Sequence, residues 1–278
     1  TKFISEVLEE EGVDISKISF AYCPERVLPG SIIKELTTND RVVGGLNNES
    51  TEIAASFYKT FVKGNVYKTN AETAEMCKLT ENSFRDVNIA FANELSIICD
   101  DEDINVNELI MLANKHPRVD ILEPGPGVGG HCIAIDPWFI VSKHKSKAKL
   151  IESAREVNIN KEDWVLEKIQ ESIDYFKNKH DKEPICACYG VSYKPNIEDC
   201  RESPALNITK NLSFKNKNVI AVDPYVTSYD GILIKDLEYA VVNADIHFFL
   251  VKHDDFKEID FSNMKQNFEL LDYCKILN

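Results

Sequence analysis

At 278 residues, with 44% apolar and 28% charged side chains, the chain has the composition of an ordinary globular protein with room for two domains or one large one. No apolar run approaches the roughly 20 residues a membrane-spanning helix needs, so the reading excludes a transmembrane protein. Thirty-two Lys and Arg against 46 Asp and Glu leave a net charge of −14. That field repels phosphate backbones and argues against a nucleic-acid binder, so any anionic ligand needs a local basic pocket.

The chain opens on TKFISEVLEEEG, without an initiator Met or the basic and apolar regions of a signal peptide. Phe3, Ile4, Val7 and Leu8 have helical spacing there, and the segment reads as mid-helix in a longer parent. A β-rich run from Ile18 to Cys23 follows, cut by Pro24. Arg41–Val43 reads as a second short strand closed by Gly44–Gly45, residues 49–63 as a helix, and Asn65–Thr69 as a third strand. Strand and helix alternate, as in a partial α/β unit.

From Ala71 to about Cys99 there is neither Pro nor Gly, and apolar residues at 74, 77, 84, 87, 91, 95 and 98 predict a long amphipathic helix. Asn105–Lys115 predicts a shorter one. The Pro/Gly-rich stretch from Pro117 to Gly130 is a stiff, specific loop. Helical pattern resumes at Trp138–Ser142 and from about Lys149 to Lys177. The charged stretch Lys177–Glu183 reads as a boundary. Beyond it, ICACYGV, NVIAVD and ADIHFFLV predict strands, with a helix over Ser203–Leu212, which makes a second α/β unit.

Eight cysteines stand at 23, 77, 99, 132, 186, 188, 200 and 274 with no CxxC pair, and the six histidines lack HxxxH or HExxH spacing. The expectation is reduced thiols in a cytoplasmic protein without a metal site. The string GPGVGG fits GxGxxG through Gly125, Gly127 and Gly130, but it follows a loop instead of a strand and contains Pro126. It reads as a loop offering backbone N–H groups to a phosphate or sugar, or as a tight turn between helices, and not as a dinucleotide fingerprint.

Cys132 leaves this loop in GGHCIAIDPW, at a predicted helix start where a thiol pKa falls. It reads either as a nucleophile or as a buried structural cysteine, with Asp136 four residues on returning to its face. Lys78, Asn82 and Arg85 stack at i, i+4 and i+7 on the long helix. That is a solvated stripe, or a set able to stabilise an oxyanion and hold a water, with Cys77, Leu79 and Phe84 predicting partial burial around it. Glu25 lies between a strand end and Pro29–Gly30, where loops carry function.

Five strings together carry a resemblance: AYCPERVLPG (21–30), RVVGG (41–45), TAEMCKLTENSFRDVNIAFANEL (73–95), HPRVDILEPGPGVGGHCIAIDPWF (116–139) and YKPNIEDCRESPA (193–205). On them the chain resembles the UDP-glucose/GDP-mannose dehydrogenase family over essentially its whole length. The resemblance implies an α/β fold in three parts: 1–70 as a remnant of an NAD-binding Rossmann domain, 71–180 as a central long-helix dimerisation domain, and 181–278 as a Rossmann-like UDP-sugar domain. It also implies a fragment that lacks most of the NAD-binding domain and is inactive alone. Its partners would be a UDP-sugar and a second copy of itself.

Position by position, the resemblance makes Cys132 the nucleophile that forms a thiohemiacetal and then a thioester. Lys78 and Asn82 become the oxyanion and water pair, Asp136 their support, and Glu25 the acid/base of thioester hydrolysis. Arg26, Val27, Arg85, His116, Arg118, Gly129, Tyr193 and Lys194 match sugar-nucleotide contacts, and Arg201 a contact to NAD. Near the end, where the family often carries an arginine-bearing loop, this chain reads Asp272–Tyr273–Cys274–Lys275. Competing readings are a non-catalytic, dimeric UDP-sugar-binding module, or a dehydrogenase of UDP-glucose or UDP-N-acetylglucosamine.

Overall fold

The computed structural model describes residues 1–27 and 31–276. The Leu28–Pro29–Gly30 end of the first family string lies outside the described residues. Two compact units divide the chain, Thr1–Asn82 and Ser83–Asn278.

In the first unit, α1 (Lys2–Glu10) precedes β1 (Ala21–Tyr22), α2 (Ile32–Thr38), β2 (Arg41–Gly45), α3 (Asn48–Tyr58) and β3 (Val66–Asn70). The sheet order is β1-β2-β3, with β1 antiparallel and β3 parallel to β2. The strand expected over Ile18–Cys23 shrinks to two residues that pair only with Gly44 and Gly45, because Pro24 offers no N–H to continue an edge strand. The helix expected over 49–63 stops at Tyr58. Asn47 caps its start by accepting from the Ser50 amide. Gly44 is needed for contact, since a Cβ there would lie 2.1 Å from the Asn70 carbonyl oxygen.

The long helix α4 runs Ala71–Asp101, as its freedom from Pro and Gly predicts. In the second unit follow α5 (Val106–Ala113), α6 (Asp136–Lys143), α7 (Lys149–His180), β4 (Cys186–Tyr189), α8 (Pro204–Lys215), β5 (Val219–Val222), α9 (Leu237–Asn243), β6 (Ile246–Phe249) and β7 (Glu269–Asp272). The sheet is parallel throughout, in the order β5-β4-β6-β7. β4, β5 and β6 are buried on both faces, which explains why they read as near-continuous apolar runs.

Side chains of β4 alternate between two cores. Cys186 and Cys188 face Val165, Ile169, Ile173 and Phe176 of α7 together with Ile208 and Leu212 of α8. Ala187 and Tyr189 face Ala240, Val241, Phe249 and Phe256 on the other side. The α7 set is spaced four, four and three residues apart, one helical stripe.

The buried face of α4 departs from the apolar pattern. Phe84, Phe91 and Ile98 are exposed, at 68%, 50% and 50%, while Ser83, Asp86, Asn93 and Ser96 are buried. Polar groups can line this interior because α7 supplies partners for them: Arg155, Asn158 and Lys161 are all buried opposite.

Candidate active site

In the first unit, Glu25 sits at the end of β1 in a clamp of donors. Its Oε1 accepts from the Arg26 amide at 2.7 Å, the Val27 amide at 3.1 Å and Nη1 of Arg41 at 2.9 Å. Partial burial works against ionisation, but Arg41 and the two amides win and hold the carboxyl below the usual glutamate range. Lys78 on α4 donates from Nζ to the Glu25 carbonyl at 3.0 Å. Arg26 spans Oε1 of Glu81 and the Asp40 carbonyl, both at 2.9 Å. The fold thus brings together four residues, Glu25, Arg26, Arg41 and Lys78, from three separate strings. Arg41 is the one the sequence reading left without a role, and its signal was an arginine opening a buried strand.

In the second unit, the glycine loop lies against the segment 193–204. A Cβ on Gly129 would meet the Glu202 carbonyl oxygen at 2.4 Å, and one on Gly130 (φ +82°) the Tyr193 ring at 2.8 Å. The Gly130 amide donates to the Arg201 carbonyl, and the Tyr193 amide to the Asp199 carbonyl. Glycine is needed in this loop for close approach as well as for left-handed backbone.

Cys132, half-buried, leaves the loop beside Tyr193. It is not at a helix start. A turn comes first, in which the Ile135 and Asp136 amides both donate to the Cys132 carbonyl, and α6 begins at Asp136 with Pro137 in its first turn. α6 therefore starts four residues beyond Cys132.

The loop's entry is fixed from both sides. Glu123 accepts from Lys275 at 3.1 Å and Lys252 at 3.2 Å, so the lysine standing in the family's arginine-bearing segment is spent on the loop itself. Burial opposes ionisation of Glu123, yet the two ammonium groups keep its pKa low. Farther along, the Gly125 amide donates to Oδ1 of Asn93 at 2.9 Å. Nδ2 of Asn93 donates to Asn158, Nδ2 of Asn158 to Oδ1 of Asp86, and Nη1 of Arg155 to that same oxygen. Sequence reasoning missed this relay, whose only signal was polar residues at 86, 93, 155 and 158 recurring at helical spacing.

The remaining sequence candidates are more open. Lys78 is half-buried and Arg85 exposed on α4, and Asn82 is buried. Phe84, expected to help bury them, points to solvent. Arg118 and His116 are both exposed after α5, the Arg118 amide donating to Nδ1 of His116. Lys194 is exposed. Arg201 is exposed and forks onto Asp199, with Nη2 at 2.6 Å and Nε at 3.0 Å. Among the described residues no group of three His, Cys, Asp or Glu side chains could hold a metal, and no helix is long and apolar enough to cross a membrane.

A dinucleotide needs a strand-to-helix turn with outward-facing amides. In the first unit the β2–α3 turn carries the glycine pair, but it is filled from within. The Gly45 amide donates to Oγ1 of Thr51, and a Cβ on either glycine would strike backbone. Among the described residues of this unit, that turn does not fit a pyrophosphate.

Comparison with known proteins agrees with the family strings. The NAD binding domain of the UDP-glucose/GDP-mannose dehydrogenase family matches residues 1–62, its central domain 72–160 and its UDP binding domain 187–276. An NDP-N-acetyl-D-galactosaminuronic acid dehydrogenase of Ralstonia nicotianae is 50% identical over 250 residues, 88% of this chain and 58% of the relative. A UDP-N-acetyl-D-mannosamine dehydrogenase of Campylobacter jejuni is 51% identical over 254 residues, 88% of this chain and 61% of the relative. The solved UDP-N-acetyl-mannosamine dehydrogenase of Staphylococcus aureus superposes with a TM-score of 0.83 at 39% identity, covering 99% of this chain and 69% of that one. The chain belongs to the UDP-glucose/GDP-mannose dehydrogenase family. It spans 58% and 61% of the length of the two sequence relatives described.

Proposed function

We propose that the chain carries the nucleophilic-cysteine and sugar-nucleotide parts of an NAD-dependent 6-dehydrogenase. Its substrate would be UDP-N-acetyl-D-mannosamine, taken to the uronate by a four-electron oxidation. The observation that carries the reading is the seating of Cys132, at the end of a loop pressed by Gly129 and Gly130 onto Tyr193 and Glu202. Support for the sugar comes from a relative at 51% identity named for UDP-N-acetyl-D-mannosamine, and support for the nucleotide-sugar class also from one named for NDP-N-acetyl-D-galactosaminuronic acid. The family matches at 1–62, 72–160 and 187–276 support a three-part division at 1–70, 71–180 and 181–278.

In this reading NAD, when bound, accepts the two hydrides; no contact to its pyrophosphate is assigned in the first unit, and Arg201 is the residue proposed to meet it. The chain's own residues act on the carbonyl. The Cys132 thiolate adds to the C6 aldehyde, and the resulting thiohemiacetal retains it until a thioester has formed. Water then attacks the thioester, the acid is released and the thiol regenerated. Lys78 stabilises the anionic oxygen, Asn82 holds the water with support from Asp136, and the Glu25 carboxylate, ionised by its donors, takes the water's proton. Arg26, Val27, Arg85, His116, Arg118, Gly129, Tyr193 and Lys194 contact the sugar nucleotide. The setting is cytoplasmic, and the assembly is a homodimer on α4 and α7.

The test is Cys132→Ser in a polypeptide that also contains a complete NAD-binding domain, assayed for uronate. Loss of acid production is expected, since an alkoxide-based adduct turns over poorly; near-normal conversion overturns the assignment. The filled β2–α3 turn favours one second reading, a non-catalytic UDP-sugar-binding module. NADH formation by the 278-residue chain with sugar nucleotide and NAD would refute it.

A further inference from the structure

The parallel sheet of the second unit has its switch point at β4, flanked by β5 and β6, where an open α/β sheet usually leaves a ligand crevice beyond the strand ends. Here the crevice is filled by protein. Asp223, next after β5, accepts at Oδ2 from the Val191 and Ser192 amides at 2.8 and 3.3 Å, and at Oδ1 from the Tyr225 and Val226 amides at 2.9 and 3.1 Å. His253, fully buried, places Nε2 at 3.2 Å from Asp223 Oδ2 and 3.3 Å from Oγ of Ser192.

The other ring nitrogen fixes the protonation state. Nδ1 of His253 receives the Asn196 amide at 3.0 Å. A backbone N–H can only donate, so Nδ1 must hold a lone pair and the proton must sit on Nε2, aimed at the carboxylate. The imidazole is therefore a neutral two-ended tie between Asp223 and the Asn196 backbone. Between those points run Tyr193 and Lys194. The Ser192 hydroxyl donates to the Lys194 carbonyl at 2.8 Å, and Asn196, with φ +62°, is closed onto Asp254 by Nδ2 donating at 2.6 Å and Oδ1 accepting at 2.9 Å. Tyr225 stacks on the outer side of the ring and Phe256 meets it edge-on.

We propose that His253 is a positioning residue for the Tyr193–Lys194 pair, holding the 191–196 loop in its site conformation through the Nε2–H tautomer. The proposal rests on the reading above that this pair contacts the sugar nucleotide. It explains why a histidine, and not an aliphatic side chain, fills a fully buried place in the sheet's mouth: an apolar residue would leave the Asn196 amide without an acceptor.

Three measurements on the 278-residue chain test it. Nitrogen-15 spectra of the imidazoles near neutral pH should show His253 protonated on Nε2 alone; an Nδ1–H tautomer or an imidazolium would overturn the tie. Hydrogen exchange at the Asn196 amide should be slow, and about tenfold or more faster in His253→Phe, which keeps the ring stacking but removes the acceptor. Calorimetry with UDP should find His253→Phe weakened by about tenfold. His253→Asn, whose Oδ1 falls where Nδ1 was, should stay within about threefold of wild type. Equal affinity of His253→Phe and wild type would refute the positioning role. Wild type binding no UDP would refute instead the functional reading of Tyr193–Lys194, and tautomer and exchange would still decide the tie. If His253→Phe does not fold, the wild-type tautomer decides alone.

Discussion

Arg155 donates to Asp86 at 2.6 Å where the arginine side chain is 4% exposed and the aspartate not at all. Burial pushes the Asp86 pKa up, and the Arg155 guanidinium and Asn158 amide pull against it. The pair is more than a local bridge, because Asp86 also anchors Asn158 and through it Asn93 and the Gly125 amide. Removing one partner leaves a buried charge unpaired. Arg155→Leu should therefore destabilise the second unit by about 3–5 kcal/mol, whereas the double change with Asp86→Leu should recover much of that loss. Urea unfolding of the single and double variants checks both, and a double variant no better than the single would contradict the account.

Lys161 gives a pH dependence of known sign. It is 3% exposed, donates to Oγ of Ser96 at 2.8 Å and lies 3.5 Å above the Trp164 ring; burial lowers its pKa from 10.5 to about 7. Below that value folded and unfolded chains are both protonated, and the fold bears the full cost of a buried ammonium. Between about 7 and 10.5 the unfolded chain holds more protons, so this residue's contribution improves as pH rises. Lys161→Met should raise stability by roughly 2–4 kcal/mol near pH 6, with the advantage shrinking toward pH 10 as the neutral amine keeps its bond to Ser96. Denaturation midpoints at both pH values decide it, and a pH-independent difference would refute it.

The exposed stripe Phe84, Phe91 and Ile98 recurs every seven residues on α4. The proposed homodimer would cover this stripe. Static light scattering at micromolar concentration should give a dimer for the chain and a smaller species for Phe91→Glu. A monomer for the unaltered chain would overturn the dimer.

Much of this molecule is legible in its residues, and what is not has identifiable causes. α4 and α7 are long, lack Pro and Gly, and carry stripes no strand could use, so their extents come within a few residues. β4, β5 and β6 read correctly because burial on both faces leaves apolar runs. α2, α9 and β7 are only seven, seven and four residues long, too short for a period to emerge. The inward face of α4 escapes for another reason. Periodicity assigns Asp86 to solvent, and its partner Arg155 lies 69 positions away, a pairing no local pattern contains. At the site, the residues placed Glu25 in a loop but set Cys132 at a helix start one turn too early, and the clamp of Arg41 on Glu25 needed the strand pairing to appear.

A last consequence follows from where the sulfur lies. Of eight free thiols, Cys99, Cys186, Cys188 and Cys274 are buried, and burial pushes the Cys188 pKa up to about 12. A water-borne alkylating reagent meets Cys132 at the glycine loop but reaches Cys186 and Cys188 only when the sheet parts from α7 and α8. The sheet thus carries its own chemical clock: the order in which these sulfurs are modified records how often, and in what sequence, the fold opens.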